Sequence, residues 1–229
     1  MKKTVQLFIL FIFIFNVSFG QTGQNEVPYS FNAKNLSHDI PQITFAKISN
    51  EKCLREDEKE LNKNTPLRIG IVHHVNLSME NCGMTDALPN GDKLWRILFK
   101  SEDAVAVAVN FQNIRIPEGA FLYAYSPDKA NVVGKYTQKD FSHDIIFSTE
   151  DIPGDEIVLE YYEPANAAFK GEMNIDKIGH IYREISSTVK GPWGSAAGDC
   201  HINVKCPEGD NWRSQINSVV LLRLISNEG

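Results

Sequence analysis

Between residues 67 and 181 the chain is cut into short runs that are either period-two or continuously β-branched: 67–75, 94–99, 105–111, 120–125, 132–136, 144–148, 156–162 and 173–181. The segments between them carry turn chemistry. Pro89-Asn90-Gly91-Asp92, Pro117-Glu118-Gly119, Ser126-Pro127-Asp128 and Pro153-Gly154-Asp155 combine prolines that preset φ, glycines that accept positive φ, and Asp or Asn side chains that bond their own backbone. Eight short strands with no helix between them predict an all-β fold, a β-sandwich over residues 67–185.

The pattern inside the runs predicts which strands are central. In Ala104-Val105-Ala106-Val107-Ala108-Val109-Asn110-Phe111 one face carries the valines and Phe111 and the other small alanines, so both faces are apolar and both should be covered. Trp95, Ile97 and Phe99 alternate against Arg96 and Lys100, and Phe121, Tyr123 and Tyr125 against Ala120, Leu122 and Ala124. Aromatics at strand spacing beside neighbours of matching phase are read as core, not as a ligand platform.

The ends of the chain have a different character. Met1-Lys2-Lys3 is a basic start, Leu7 to Phe15 an unbroken apolar run, and Val17-Ser18-Phe19-Gly20 supplies small residues at the positions a signal peptidase reads. A signal peptide over 1–20 is expected, with cleavage between Gly20 and Gln21 and a secreted, periplasmic or extracellular location. No cysteine directly follows that cut and no later run is long and apolar enough for a membrane helix, so no membrane partner is expected after cleavage. The leader takes Lys2 and Lys3 with it and no acid, so the formal charge moves from −6 to −8. Such an acidic chain repels nucleic acid and anionic lipid.

Residues 21–66 read as a polar, loosely attached arm containing one short solvated helix. From Asn50 onward, Glu51-Lys52-Cys53-Leu54-Arg55-Glu56-Asp57-Glu58-Lys59-Glu60-Leu61 has strong helix formers with opposite charges at helical spacing, and Asn50 is available as N-cap. The four cysteines of an exported chain are read first as disulfide candidates: Cys53 with Cys82, and Cys200 with Cys206 as a second group. Sequence does not show whether the first two Cβ atoms meet.

Gly198-Asp199-Cys200-His201-Ile202-Asn203-Val204-Lys205-Cys206-Pro207-Glu208-Gly209-Asp210 is followed by the apolar run Val219-Val220-Leu221-Leu222-Arg223-Leu224-Ile225. This stretch resembles the opening of the mature domain in the secreted bacterial lysyl endopeptidase family of trypsin-like serine proteases. There a Gly-x-Cys-x-(Ile/Val)-x-Val-x-Cys-Pro-Glu-Gly-Asp segment precedes the first barrel strand. Shorter dispersed matches over about residues 50–185 are similar to the propeptide of that family, among them Ile116-Pro117-Glu118-Gly119-Ala120, Tyr123-Ala124-Tyr125-Ser126 and Pro153-Gly154-Asp155-Glu156-Ile157.

The resemblance implies a map: signal peptide 1–20, polar arm 21–66, β-sandwich pro-domain 67–185, linker and processing region 186–197, and the start of a truncated trypsin-like double β-barrel at 198–229. It also implies that Cys200 and Cys206 bridge to partners further along the catalytic domain, and that a lysine-specific enzyme could process itself at Lys190-Gly191. The implied partners are the downstream protease domain, which the pro-domain would help to fold and keep latent, and the protein substrates of the complete enzyme.

Catalytic chemistry is not expected in the chain itself. The family's Thr-Ala-x-His-Cys and Gly-x-Ser-Gly contexts do not occur, Ser195 lies in the linker, and His201 stands where the family uses no catalytic histidine. His73 and His74, with His38, Cys53 and Cys82 as conceivable zinc ligands, are adjacent on a strand and should point to opposite faces. His143 and His180 read as surface or hydrogen-bonded histidines. No cofactor or metal is expected. The rival reading is a stand-alone secreted sandwich that binds glycans or cell-surface partners, or inhibits proteases, because an eight-strand pattern does not fix a function.

Overall fold

The computed structural model describes residues 27–34, 36–37, 39–60, 67–141, 146–183 and 207–216. In chain order the elements are β1 (Gln42–Thr44), α1 (Asn50–Glu60), β2 (Gly70–Ser78), β3 (Met84–Ala87), β4 (Lys93–Lys100), β5 (Ala106–Arg115), β6 (Phe121–Tyr125), β7 (Val132–Thr137), β8 (Phe147–Ser148), β9 (Ile152–Pro153), β10 (Glu156–Glu163), β11 (Glu172–Ile181) and α2 (Arg213–Ile216). The strands make two sheets that share one core, so the all-β, sandwich-like expectation holds, and the sheets do not close into a barrel.

The first sheet runs β1-β4-β10-β6-β7. The second runs β2-β11-β5-β8. In each, one strand edge is divided between two short partners. Along β4, β3 pairs antiparallel with Lys93 to Arg96 and β1 pairs parallel with Leu98 to Lys100. Along β5, β9 pairs with Ala106 and Val107 and β8 with Asn110 and Phe111. Thr149 fills the gap between these last two: its N–H donates to the Val109 carbonyl at 3.0 Å, and its Oγ1 accepts from the Val109 N–H at 3.0 Å. A hydroxyl thus stands in for a missing ladder carbonyl, which a buried backbone N–H requires.

Alternation puts Trp95, Ile97, Phe99, Leu122, Ala124, Ile157, Leu159 and Tyr161 of the first sheet against Val107, Val109, Phe111, Ile175 and Ile178 of the second. Fully buried side chains of this size each contribute about 1.5–3 kcal/mol. Ala106 and Ala108, on the opposite face of β5, are buried as well, as the two-sided apolar pattern requires. The turns fall where the sequence puts them. At Pro117-Glu118-Gly119-Ala120, the Ala120 N–H donates to the Pro117 carbonyl and Gly119 takes φ +83°, the left-handed position that favours glycine in a type II turn.

Two expectations for the arm change. Its described part is not loosely attached. Residues 28–34, 36–37 and 39–41 lie across the outer face of the first sheet, where alternation leaves Tyr123, Tyr125, Leu98 and Val158 facing away from the main core. There they form a second apolar cluster, completed by Phe31 and Ile40 from the arm. The Leu98 N–H donates to the Pro41 carbonyl, and the chain then enters the sheet as β1, a strand whose three residues gave no periodic signal.

Helix α1 forms where the charge pattern predicts, with i,i+4 pairs Glu51–Arg55 at 3.2 Å and Lys52–Glu56 at 3.9 Å on its exposed side. Its cap is not Asn50, however. Ser49 Oγ accepts from the Lys52 N–H at 3.3 Å and the Ser49 carbonyl from the Cys53 N–H, which releases the Asn50 side chain for another use. Nor is the helix merely solvated, because Cys53 and Asp57, four residues apart on one face, are buried.

The linker 186–197, the apolar run 219–225 and most of 198–229 lie outside the described residues. Within 207–216 a 3₁₀ turn, Pro207–Trp212, leads into α2.

Candidate functional site

Among the sequence-derived site residues, Gly20, Gln21, Lys190, Gly191, Cys200 and Cys206 lie outside the described residues, as do His38 and His143. Cys53 and Cys82 are free thiols, so the candidate bridge between them is absent. Their places in the fold explain why. Cys53 is on the buried face of α1, while Cys82 follows β2 and its Sγ donates to the Ser78 carbonyl at 3.2 Å. Burial pushes both thiols above the ordinary cysteine value; for Cys53 the nearby Arg68 opposes that rise.

His73 and His74 face opposite sides of β2, as period two demands. His74 is exposed, and His73 turns into the sandwich, stacked on Phe45 with ring centroids 4.8 Å apart. There His73 joins a hydrogen-bonded chain that the sequence did not suggest. His73 Nε2 lies 2.9 Å from Ser101 Oγ, Ser101 Oγ 2.8 Å from His180 Nδ1, and His180 Nε2 2.7 Å from Asn50 Oδ1. The Asn50 amide then donates from Nδ2 to the Asp103 carbonyl at 2.6 Å. Four elements meet here: β2, the β4–β5 connection, β11 and the first residue of α1.

With His180 neutral, the Asn50 end fixes the direction of every proton. Asn50 spends its N–H on Asp103, so its oxygen accepts and His180 Nε2 donates. The neutral ring then offers Nδ1 as acceptor, Ser101 donates its only hydroxyl proton to it, and His73 Nε2 donates to Ser101. Burial lowers both histidines below the ordinary value, and His73 lowers His180 further while Asp103 raises it.

A serine 2.8 Å from an imidazole that an asparagine orients has the connectivity of a nucleophile and its base. The surroundings do not suit catalysis. Ser101 is 1% exposed and His180 0%, and the serine oxygen already receives a bond from His73. Two surface hollows lie elsewhere, one along Lys52, Arg55, Glu56, Glu58 and Lys59 of α1 and one between Val27, Pro28, Tyr29, Asn32, Ala33 and Phe121. These hydrogen bonds fasten the first residue of α1 to the sandwich.

A second cluster holds the same helix. The buried Asp57 carboxylate accepts from Arg68 Nε at 2.8 Å, Arg183 Nη2 at 3.0 Å and the Tyr182 hydroxyl at 2.8 Å. Arg68 also reaches Glu56 at 3.2 Å and the Cys53 carbonyl at 3.3 Å. Residues just before β2 and just after β11 therefore grip one turn of α1. Burial, then the Asp57 hydrogen bond, raises the Tyr182 hydroxyl well above the usual phenol.

The third cluster fastens the arm. On the outer face of the first sheet Glu160 is cross-strand to Arg96 on one side and Tyr123 on the other, and both charged residues are buried. Glu160 accepts from the Ser30 N–H at 3.1 Å and the Tyr125 hydroxyl at 3.0 Å, while Arg96 donates to Asp86 at 2.5 Å and to the Ser37 carbonyl at 2.9 Å. The signal for this cluster was present in the sequence, as an arginine and a glutamate at polar-phase positions of otherwise apolar strands.

Among the described residues no group of three His, Cys, Asp or Glu side chains is placed to hold a metal ion, and no helix is long and apolar enough to cross a membrane. No protein-family model matches the chain, and no solved structure matches it.

Proposed function

We propose that the two-sheet unit is the pro-domain of a secreted trypsin-like serine endopeptidase precursor, preceded by an export signal at 1–20 and followed by the opening of the protease domain at about Gly198. The observation that carries the reading is the spacing Cys200-x-x-x-x-x-Cys206-Pro207-Glu208-Gly209-Asp210, set behind a small-residue segment that begins a few residues after β11. The physical logic is kinetic. A two-barrel β protein has many non-local contacts and folds slowly, and a companion domain that already binds its surface in the folding transition state lowers that barrier. Lysine specificity and processing at Lys190-Gly191 belong to the same proposal.

The test is to incubate the chain with a lysine-specific secreted serine endopeptidase and follow both partners. The expected outcome is a cut at Lys190-Gly191 that leaves residues up to about Arg183 resistant, with slower hydrolysis of a reporter peptide as the released sandwich accumulates. Unchanged reporter hydrolysis, with the sandwich degraded throughout, sinks the reading.

A second reading is an independent secreted binding or inhibitor module. It is favoured by one observation: among the described residues, both apolar clusters are built from residues between Phe31 and Ile178. An inhibitor slows the reporter without being cut at Lys190, and a module with other partners leaves the rate unchanged.

A further inference from the structure

We propose that the chain Asn50–His180–Ser101–His73 is an acid-sensitive latch, holding the first turn of α1 against the end of the sandwich at neutral pH and releasing it in acid while the two sheets stay folded. The inference does not depend on the protease reading.

It follows from the burial of the chain and from its proton directions. Every bond is satisfied when His180 is neutral with its proton on Nε2 and His73 donates to Ser101. A second proton on Nδ1 would face the Ser101 hydroxyl, which would keep a partner only by turning its own proton to His73 Nε2 and shifting the His73 proton to Nδ1, inside a site where Ser101 is 1% exposed and His180 0%. It would also bury a cation.

The charged and titratable groups around the ring offset that charge only in part. His73, from β2, is a second base that repels it. From the β4–β5 connection, the Asp103 carboxylate favours the charge but is 58% exposed and already paired with Lys47 at 2.6 Å, and Glu102 acts on that same lysine. From the segment before α1 comes Lys47 itself, another cation. On α1, Asn50 is neutral and the Asp57 carboxylate is held by Arg68 and Arg183.

Water reaches the ring with least disruption by lifting Asn50, because Asn50 covers Nε2 from the end of a short helix, whereas the other neighbours are parts of the sheets and the turn that joins them. The first turn of α1 is therefore what opens. Asp57, further along the helix, keeps the helix tethered.

Backbone hydrogen exchange of the full chain at about pH 7.5 and about pH 5.0, corrected for intrinsic chemistry, tests this. Opening linked to one proton becomes about tenfold more favourable per pH unit below the free imidazole value. Protection in the first turn of α1 is expected to fall by about tenfold or more relative to β4 and β10, and His180→Gln, which can keep the neutral bonds but cannot take the proton, is expected to remove most of that fall. Equal protection at both pH values, or a fall of the same size in His180→Gln, overturns the latch. If the glutamine variant does not fold, imidazole nitrogen shifts of the unmodified chain decide. A neutral His180 for as long as α1 is protected supports the latch, and an imidazolium at His180 beneath a fully protected α1 overturns it.

Discussion

The backbone N–H of Ser30 donates to Oε1 of Glu160 at 3.1 Å, joining an N-terminal segment to the middle of a sheet 130 residues further along. Oε2 of the same carboxylate accepts from Tyr125, so Glu160 serves the sheet and the arm together. Glu160→Ala removes the acceptor from the buried Tyr125 hydroxyl and the half-buried Ser30 N–H, and leaves Arg96 with Asp86 as its remaining charged neighbour. Each unsatisfied buried group costs about 1–3 kcal/mol. The expected result is a urea midpoint lowered by the equivalent of about 2 kcal/mol or more, and faster proteolytic cutting within 28–41 than in the strands. A variant whose arm is cut no faster than the parent's contradicts this role for Glu160.

Asp57 is the other charged fastening. Asp57→Ala leaves Arg68 and Arg183 facing a buried site without their shared carboxylate, and breaking such a pair from one side costs about 3–5 kcal/mol. Asp57→Asn keeps one acceptor oxygen, either for Arg68 or for Tyr182 and Arg183, and should cost less. Chemical denaturation of the two variants should rank them alanine below asparagine below the parent. The reverse order would mean that the carboxylate is a net burden in the fold.

Gly171 sets a tight steric limit. Its N–H donates to Glu163 at 2.7 Å, and a Cβ built there would sit 2.0 Å from the Tyr161 hydroxyl oxygen and 2.7 Å from its ring carbon. Overpacking of this kind costs about 1–3 kcal/mol. Gly171→Ala should therefore destabilise by that amount, and Tyr161→Phe in the same chain should recover part of it, since the closest atom is gone and the ring carbon remains. Thermal melts of the two single variants and the double variant make the cycle; strict additivity would contradict the contact.

The free thiols can be counted directly. In a Cys200→Ser, Cys206→Ser background, Cys53 and Cys82 are expected to titrate as two thiols after denaturation without reductant. In the folded chain Cys53, the more buried, should react the more slowly, since burial holds both thiols in the protonated form. A count of zero thiols would restore the bridge.

The strands were legible in the sequence because period two and turn chemistry are local. All eight predicted runs overlap observed strands, and the missing ones, β1, β3 and β9, are four residues or fewer, too short to show a period. The fastenings were not legible for the opposite reason. Asn50 looked like a cap because Asn favours that position, but Ser49 is one residue closer, and what Asn50 does depends on His180, 130 residues away. Asp57 looked like one more charge on a solvated face, because nothing local says that Arg68 and Arg183 arrive beside it. Alternation marked Tyr123 and Tyr125 correctly as buried, but it assigned them to the core between the sheets, and their actual cover, the arm, has no pattern of its own.

The two inward histidines also set how global stability varies with pH. Both have folded values below that of a free imidazole, near 6.5, with burial as the first cause. Above that value neither state takes up a proton at these sites, and their neutral bonds contribute in full. Below it the unfolded chain binds protons that the folded chain refuses, so stability falls as the pH drops from about 6.5 toward the folded values, by up to about 1.4 kcal/mol per pH unit for each ring. Denaturation curves at closely spaced pH values between about 7.5 and 5 should show this slope in the parent and in His74→Gln, whose ring is exposed on the opposite face of β2. The slope should be shallower in His180→Gln and in His73→Gln. A parent slope of zero across that interval would mean that the folded chain accepts the protons, and that burial does not hold His180 neutral.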